Sequence, residues 1–589
     1  MLLVLVFFAK NDRGQIGASH LKIRKKLALA SIIWAVATLI FIVATLSSIL
    51  DISISESLRF NLLRSFVTQI SLGKFLALQA LGAIAIAIIA GQLNRVTSAA
   101  LALALALAAV SMPVFQSHAA TGGSHLIAIG TLIVHVLALS LWVGGLVAIL
   151  LCPEVDRQIA LMRFSQLANW AVVLVVVSGT INAWIRMNFS AAWQGSYALL
   201  IATKVALTLL LLVIANNLRK KLTVATKALI ALEVAVMAFT IFIGTLLSNS
   251  QPPTRPGKLD EIESLVGLRF PGQPNLQKWF LEFQPDALTL AALLITGALY
   301  IKGMQVMKRR GDVWPKGRAL SFFIGLLVIN YAINGAIGVY AHFGFSYHMI
   351  EHMILGMIAP IALVLGAPIT LALRTLPAGR DETEEGVRNI LIRFLHSSYS
   401  KFVTHPVIAL VIFDGSLFIL YFTGLFGTLM GSHLGHQFMN LHFILAGVLF
   451  FHVIVGVDPN PKRPPSVVRM GILFAAMSIH AFFSIALMSS TTLLDGGYYS
   501  SIGNPLGLNL LENQQAAGAI GWAMGEIPIL IALAAVFIQW MRDDRKETIR
   551  IDRKAARADA MGEADDLAQY NQFLAELARN ESTRKSKEL

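Results

Sequence analysis

Apolar stretches of about 20 residues, nearly free of charge, recur along almost the whole chain and are divided by short polar joints. A helix needs about 20 apolar residues to cross the hydrocarbon of a bilayer. Lipid cannot satisfy backbone polar groups, so each such stretch must close its own hydrogen bonds as a helix. Spans are predicted at about 27–50, 70–91, 97–116, 125–151, 167–187, 196–216 and 226–247. A second series follows at about 285–303, 319–340, 347–373, 405–429, 438–457, 468–490 and 517–541. The expected fold is all-α: a polytopic transmembrane helical bundle of about 14 spans in two seven-helix halves. The alternating segments of a membrane β-barrel do not occur.

This pattern divides the chain into an N-terminal segment (1–26), a first transmembrane domain (27–247), a linker (248–284), a second transmembrane domain (285–541) and a charged tail (542–589). The linker is polar and carries Pro252, Pro253, Pro256, Pro271 and Pro274. The apolar run Met1–Ala9 is too short to span and has no basic stretch before it. It is left out of the span count, as an interfacial segment or a start-site artefact. The spacing of Val387, Ile390, Leu391, Phe394 and Leu395 predicts an amphipathic helix over about 381–398, lying along the membrane surface. In the tail, Leu567, Tyr570, Leu574 and Leu577 make a helical stripe, either on a solvated helix or on one that binds a partner.

Composition agrees with lipid as the solvent. Of 589 residues 56% are apolar and only 14% charged, against about 25% in soluble domains. The net charge of +14 does not point to nucleic acid, because Lys and Arg sit in short loops between spans. Lys22, Arg24, Lys25 and Lys26 precede the first span, and every second loop is then basic: Arg157 and Arg163, Arg219 to Lys221, Lys308 to Lys316, Lys462 and Arg463. By the positive-inside rule, both termini are cytoplasmic and the linker is extracytoplasmic. Cys152 is the one cysteine, so an intrachain disulfide and a CxxC redox pair are excluded. Histidine, methionine and carboxylate remain as possible metal ligands.

The fourteen histidines are unevenly placed. On this topology His118, His125, His342, His348, His352, His433, His436 and His442 fall at outer ends of spans, while His135 and His480 lie deeper. His348 and His352 are one helical turn apart on one face and can share a metal ion. Met349 and Met353 flank them; imidazole suits copper and zinc, and thioether favours Cu(I). Facing histidines can also ligate haem, and His135, His442, His452 and His480 lie at suitable depths. Glu233, Asp414, Lys204 and Glu526 are further polar groups within spans. Lys204 is read as snorkelling outward. Glu526 is either a third metal ligand, a partner of a ligand, or an interhelical hydrogen-bonding group. Pro360, Pro368 and Pro528 are expected to kink their helices, and Gly144–Gly145 and Ser178–Gly179 to allow close helix approach. No phosphate loop, dinucleotide fingerprint, HExxH or nucleophile elbow is present, so an enzyme is not expected.

Over about 285–541 the chain resembles the CtaG family of cytochrome c oxidase assembly factors. The resemblance is carried by His348-Met-Ile-Glu-His352, Pro360, Gly366-Ala-Pro368, His405-Pro406, His433, His436, His442 and Gly447. It continues through Asp458-Pro459, His480, Gln514-Gln515, Gly521-Trp522 and Gly525-Glu526-Ile-Pro528. The family often has Asp-Gln-Gln where this chain has Asn513-Gln514-Gln515, so no metal-ligand role is carried onto Asn513. Over about 117–217 the chain is similar to the CopD copper-resistance family, through Ser117-His118-Ala119, His125, His135, Trp142-Val-Gly-Gly145, Phe164-Ser165, Ser178-Gly179, Trp184, Tyr197 and Lys204.

These resemblances imply a multi-pass protein of the bacterial plasma membrane that handles copper and supports assembly of a haem–copper oxidase. Copper, as Cu(I), is the expected cargo. His348 and His352 are expected as primary ligands, with His342, His433, His436 and His442 as secondary candidates and Glu526 tuning the site. His118, His125 and His135 are expected to form a receiving site in the first half. Oxidase subunits and a copper chaperone are the implied partners besides the bilayer. The alternatives are a copper importer, a haem-binding electron carrier, and a scaffold that binds no metal.

Overall fold

The computed structural model describes the chain except residues 9–10, 117–124, 152–153, 188–194, 221–226, 251–260, 380–385, 461–462, 562–565 and 588–589. It is an all-α polytopic bundle; among the described residues the β-structure is a two-residue hairpin pairing Asn11–Asp12 with Gln15–Ile16, plus isolated bridges. Among the described residues, thirteen helices are long and apolar enough to cross a membrane by length and composition. Seven lie in the first half: Ile23–Leu50, Ser71–Gln92, Val96–Phe115, Leu126–Leu151, Ala160–Met187, Ser196–Asn217 and Ala228–Ser248. Six lie in the second: Ala287–Arg309, Lys316–Asn334, Phe345–Thr375, His433–Ile454, Ser466–Met488 and Leu510–Arg557.

The span expected at 405–429 is the shorter apolar helix Pro406–Phe422. Gly424, at φ +73°, ends it, and Leu425–Met430 restarts as a separate short helix. The last helix runs unbroken from Leu510 to Met561, so the charged tail begins as its continuation. Tyr570, Phe573, Leu574 and Leu577 of the following helix, Asp566–Lys587, are exposed.

Two large hydrophobic cores form. The first draws on residues from Leu2 to Met237, the second on residues from Ile329 to Val536. Leu2, Leu3, Val4 and Leu5 are buried in the first core, so the short N-terminal run is an integral packing element and not an interfacial one. Close approaches in this half run through glycine, as small residues allow in lipid. A Cβ on Gly145 would stand 2.1 Å from the Phe164 ring, and one on Gly179 would stand 3.3 Å from His135 Cε1. The halves touch where Gly130 meets the start of the Ala287–Arg309 helix: a Cβ there would lie 2.5 Å from Leu288 N.

In the second half, proline breaks one long span into pieces. Phe345–Met353 passes through a π-turn at Ile354–Ile358 into Ala359–Leu365, whose first turn holds Pro360. The chain then breaks at Gly366–Ala367, with Ala367 at φ +52°, and restarts as Pro368–Thr375. The restart exposes backbone donors, which need a partner when buried. Asp458, from the loop after His433–Ile454, supplies it: Oδ2 accepts from Ile369 N at 3.0 Å and Oδ1 from Thr370 N at 2.7 Å.

The last helix lies on Ser466–Met488 along Gly518, Gly521 and Gly525. A Cβ on Gly525 would fall 2.1 Å from His480 Nε2. Gly525→Ala should therefore lower stability by about 1–3 kcal/mol, the usual effect of overpacking. A thermal melt in detergent measures this; a wild-type melting temperature would show that the ring moves aside freely.

The Val387–Leu395 helix is present, and its Ile390 packs against the first core rather than facing lipid alone. The described part of the linker folds back onto the second half. Phe270 packs edge-on against Phe343 at 5.1 Å, Trp279 lies 5.9 Å from the Tyr347 ring, and Tyr340 Oη donates to Gly272 O at 3.1 Å. The linker thus roofs the end of the bundle where His342 and His348 enter.

Candidate metal centre

The Phe345–Met353 helix begins at Gly344, and Asn513 of the last helix fastens its first turn. Asn513 Oδ1 accepts from Ser346 N at 3.1 Å, and its Nδ2 donates to Ser346 Oγ at 2.7 Å. The amide found where the family often has a carboxylate therefore acts as a helix-end clamp. One turn on, His348 and His352 project from the same face, with ring centroids 3.9 Å apart.

His436 comes from the facing helix His433–Ile454. Nitrogen atoms of His348, His352 and His436 all lie within 4.8 Å of one another, and all three residues are buried. The Nε2 atoms of all three have no hydrogen-bond partner. Buried polar atoms are normally satisfied, so a buried cluster of three histidines whose Nε2 atoms make no hydrogen bond marks a site for a ligand. Three imidazoles are a ligand set suited to copper or zinc.

The surroundings fix the rings. Tyr421 Oη lies 3.2 Å from His348 Nδ1 and 3.1 Å from His352 Nδ1. Phe426 meets the His348 ring edge-on at 4.8 Å, and Phe443 lies 4.1 Å from the His352 ring. Glu351, fully buried between the two histidines in sequence, accepts from Asn440 Nδ2 at 2.9 Å, and its Oε2 lies 3.3 Å from His436 Nε2. Residue by residue, Glu351, Tyr421 and Asn440 were not singled out by sequence. The one available signal was spacing: Asn440 stands one turn after His436, and Glu351 lies within the His348–His352 turn.

The other sequence candidates are placed as follows. His342 stacks edge-on against His436 at 4.4 Å, and its Nδ1 donates to Gly338 O at 2.8 Å, leaving Nε2 as the available lone pair. His433 stands one turn before His436 and is half-buried. His442 is half-buried on the flank of the same helix, its ring 5.6 Å from Phe443. Glu526 does not join the cluster; it accepts from Trp522 Nε1, one turn before it on its own helix. Met349 is also elsewhere, its Sδ packed against Gly521, so it lends no thioether to the imidazoles.

In the first half, His135 Nδ1 lies 3.1 Å from Val175 O and 3.0 Å from Ser178 Oγ. His118 lies outside the described residues, and so does the side chain of His125. Lys204 reaches the neighbouring Lys227–Asn249 helix: its Nζ is 3.4 Å from where a Cβ on Gly244 would stand. His480 has both nitrogens engaged, Nε2 with Gly521 O at 3.1 Å and Nδ1 with Asp414 Oδ1 at 3.4 Å, which leaves none for haem iron.

Comparison with known families agrees with this division of the chain's chemistry. Residues 298–543 match the family described as Cytochrome c oxidase caa3 assembly factor (Caa3_CtaG). Residues 158–247 match Copper resistance protein D, and residues 1–126 match its N-terminal domain, Copper resistance protein D-like. An uncharacterized protein of Mycobacterium leprae is 40% identical over 314 residues, covering 53% of this chain and 47% of that protein. Uncharacterized proteins of Mycobacterium bovis and Mycobacterium tuberculosis are 38% identical over the same length. The chain thus spans about half the length of the curated relatives it matches. No solved structure matches it. The chain is a multi-pass membrane protein that joins a part resembling copper resistance protein D to a part resembling the caa3 oxidase assembly factor.

Proposed function

We propose that this protein is a membrane copper-handling factor that holds a cuprous ion between His348, His352 and His436 and delivers it to a haem–copper oxidase during assembly. The observation that supports this is a buried cluster of three histidines from two helices, with a nitrogen of each within 4.8 Å of the others and no hydrogen bond at any of the three Nε2 atoms. Three neutral imidazoles accept copper or zinc alike. With Met349 turned away, the preference for the monovalent state rests on charge. Glu351 is the carboxylate in contact with an imidazole of the cluster among the described residues, its Oε2 3.3 Å from His436 Nε2. With Glu351 ionised on metal binding, a monovalent ion leaves this pair neutral, whereas a divalent ion leaves excess charge in a buried site, which is strongly unfavourable.

The site also has the means to release what it holds. Three ligands leave a coordination position open, and an incoming ligand can enter there before a histidine departs. His342 and His433, on the same side as His436, are the next imidazoles an ion meets on leaving. The first half contributes the receiving side, through the outer end of the helix that carries His125 and His135, and the N- and C-termini lie in the cytoplasm.

Deletion of the gene in the source bacterium should abolish oxidase activity while leaving total cell copper unchanged. A clear fall in cell copper would instead favour an importer. Unchanged oxidase activity would remove the assembly role.

A further inference from the structure

Tyr421 places a single hydroxyl between two imidazoles. Its oxygen lies 3.2 Å from His348 Nδ1 and 3.1 Å from His352 Nδ1, and all three side chains are fully buried. A histidine's two nitrogens are linked: the hydrogen bond made by one decides whether the other carries a proton. For Nε2 to offer its lone pair to a metal, Nδ1 must carry the proton, and that proton needs an acceptor. A phenolic oxygen accepts as well as donates, and its two lone pairs can take one Nδ1–H from each ring. The Nε2 atoms on the far sides of both rings are the ones left without partners.

We propose that Tyr421 is a positioning residue that sets His348 and His352 in the Nδ1–H tautomer and aims both Nε2 lone pairs at the ion. This rests on the three-histidine metal site proposed above. The role is served elsewhere by a carboxylate or backbone carbonyl behind a metal-bound histidine; here one neutral hydroxyl serves two ligands at once. A neutral acceptor adds no charge to the site, which already holds Glu351. The helix spacing makes the sharing possible, because residues one turn apart present their Nδ1 atoms to the same side. Ring packing holds the hydroxyl in place: Tyr421 lies 5.2 Å from Phe426, 5.5 Å from Phe345 and 5.6 Å from Phe483.

The test is Tyr421→Phe in the full-length protein, purified in detergent under reducing conditions. The ring stack is kept and only the hydroxyl is lost. Cu(I) affinity, measured by competition with a chromophoric chelator, should fall about 10–100-fold, the usual effect of removing a partner of a metal ligand. Histidine ¹⁵N spectra of the metal-free variant should show His348 and His352 gaining the Nε2–H form, a change that a purely structural role would not produce. Wild-type affinity, or unchanged tautomers, overturns the proposal. The wild-type spectrum is a second check that needs no variant: if both rings are Nε2–H there, the proposal also fails. If the wild-type protein binds no ion, the metal-site reading falls by itself, and the tautomer spectra still decide the role of Tyr421.

Discussion

Replacing both His348 and His352 by alanine should reduce bound copper from a stoichiometric amount to background, measured by metal analysis of detergent-purified protein under reducing conditions. Two of the three converging nitrogens are removed, and His436 alone cannot hold a soft ion against a chelator. The loss should exceed the ~10–100-fold seen when only an outer partner of a ligand is removed. The fold should survive, because both rings sit in a pocket closed by Phe426, Phe443 and Tyr421, where small apolar side chains leave a cavity but no unpaired charge. His442→Ala, on the flank of the facing helix, should bind nearly as wild type. Equal copper in the double variant and the wild type would remove the site assignment and leave a scaffold that binds its metal elsewhere or not at all.

Gly447→Val should impair both stability and metal binding, although Gly447 is three turns from His436. The reason is helix spacing. A Cβ on Gly447 would stand 2.0 Å from Gly356 O and 2.7 Å from Pro360 Cγ. The obstacle is backbone, so no side-chain rotation relieves it. The helix bearing His436 must then move off the span bearing His348 and His352. Overpacking of this kind costs about 1–3 kcal/mol, and a displacement of about 1 Å is enough to spoil a preorganised ligand set. A lowered melting temperature with weakened Cu(I) affinity is the expected result. Full copper binding in a well-folded Gly447→Val protein would show that the three histidines do not depend on this contact.

Much of the site was legible before any coordinates. His348 and His352 share a helix, and the 3.6-residue period alone puts them on one face. His436 and His342 were recognised as outer-end histidines, but their distance from that face is a property of helix packing. Glu526 illustrates the converse. Its depth matched the histidines, yet its position on the last helix turns it to Trp522 instead. Met349 adjoins His348 in sequence, but adjacent helical residues point about 100° apart, and it packs on Gly521. Tyr421 carries no spacing signature at all, and the four-residue spacing of Asn440 from His436 does not reveal its bond to Glu351 on another helix.

The chain's apolar periodicity determined by itself that this is a helical membrane protein, because lipid leaves the backbone no other way to satisfy its polar groups. Its histidine spacing determined that one helix face can offer two imidazoles. Tertiary structure alone decided that His436 arrives as the third, that Glu351 joins it in place of Glu526, and that Asp458 and Asn513 serve as helix clamps. Local sequence sets the direction of a side chain around its own helix axis. The distance between axes is set by glycines such as Gly447 and Gly525, whose close contacts lie far away in the chain.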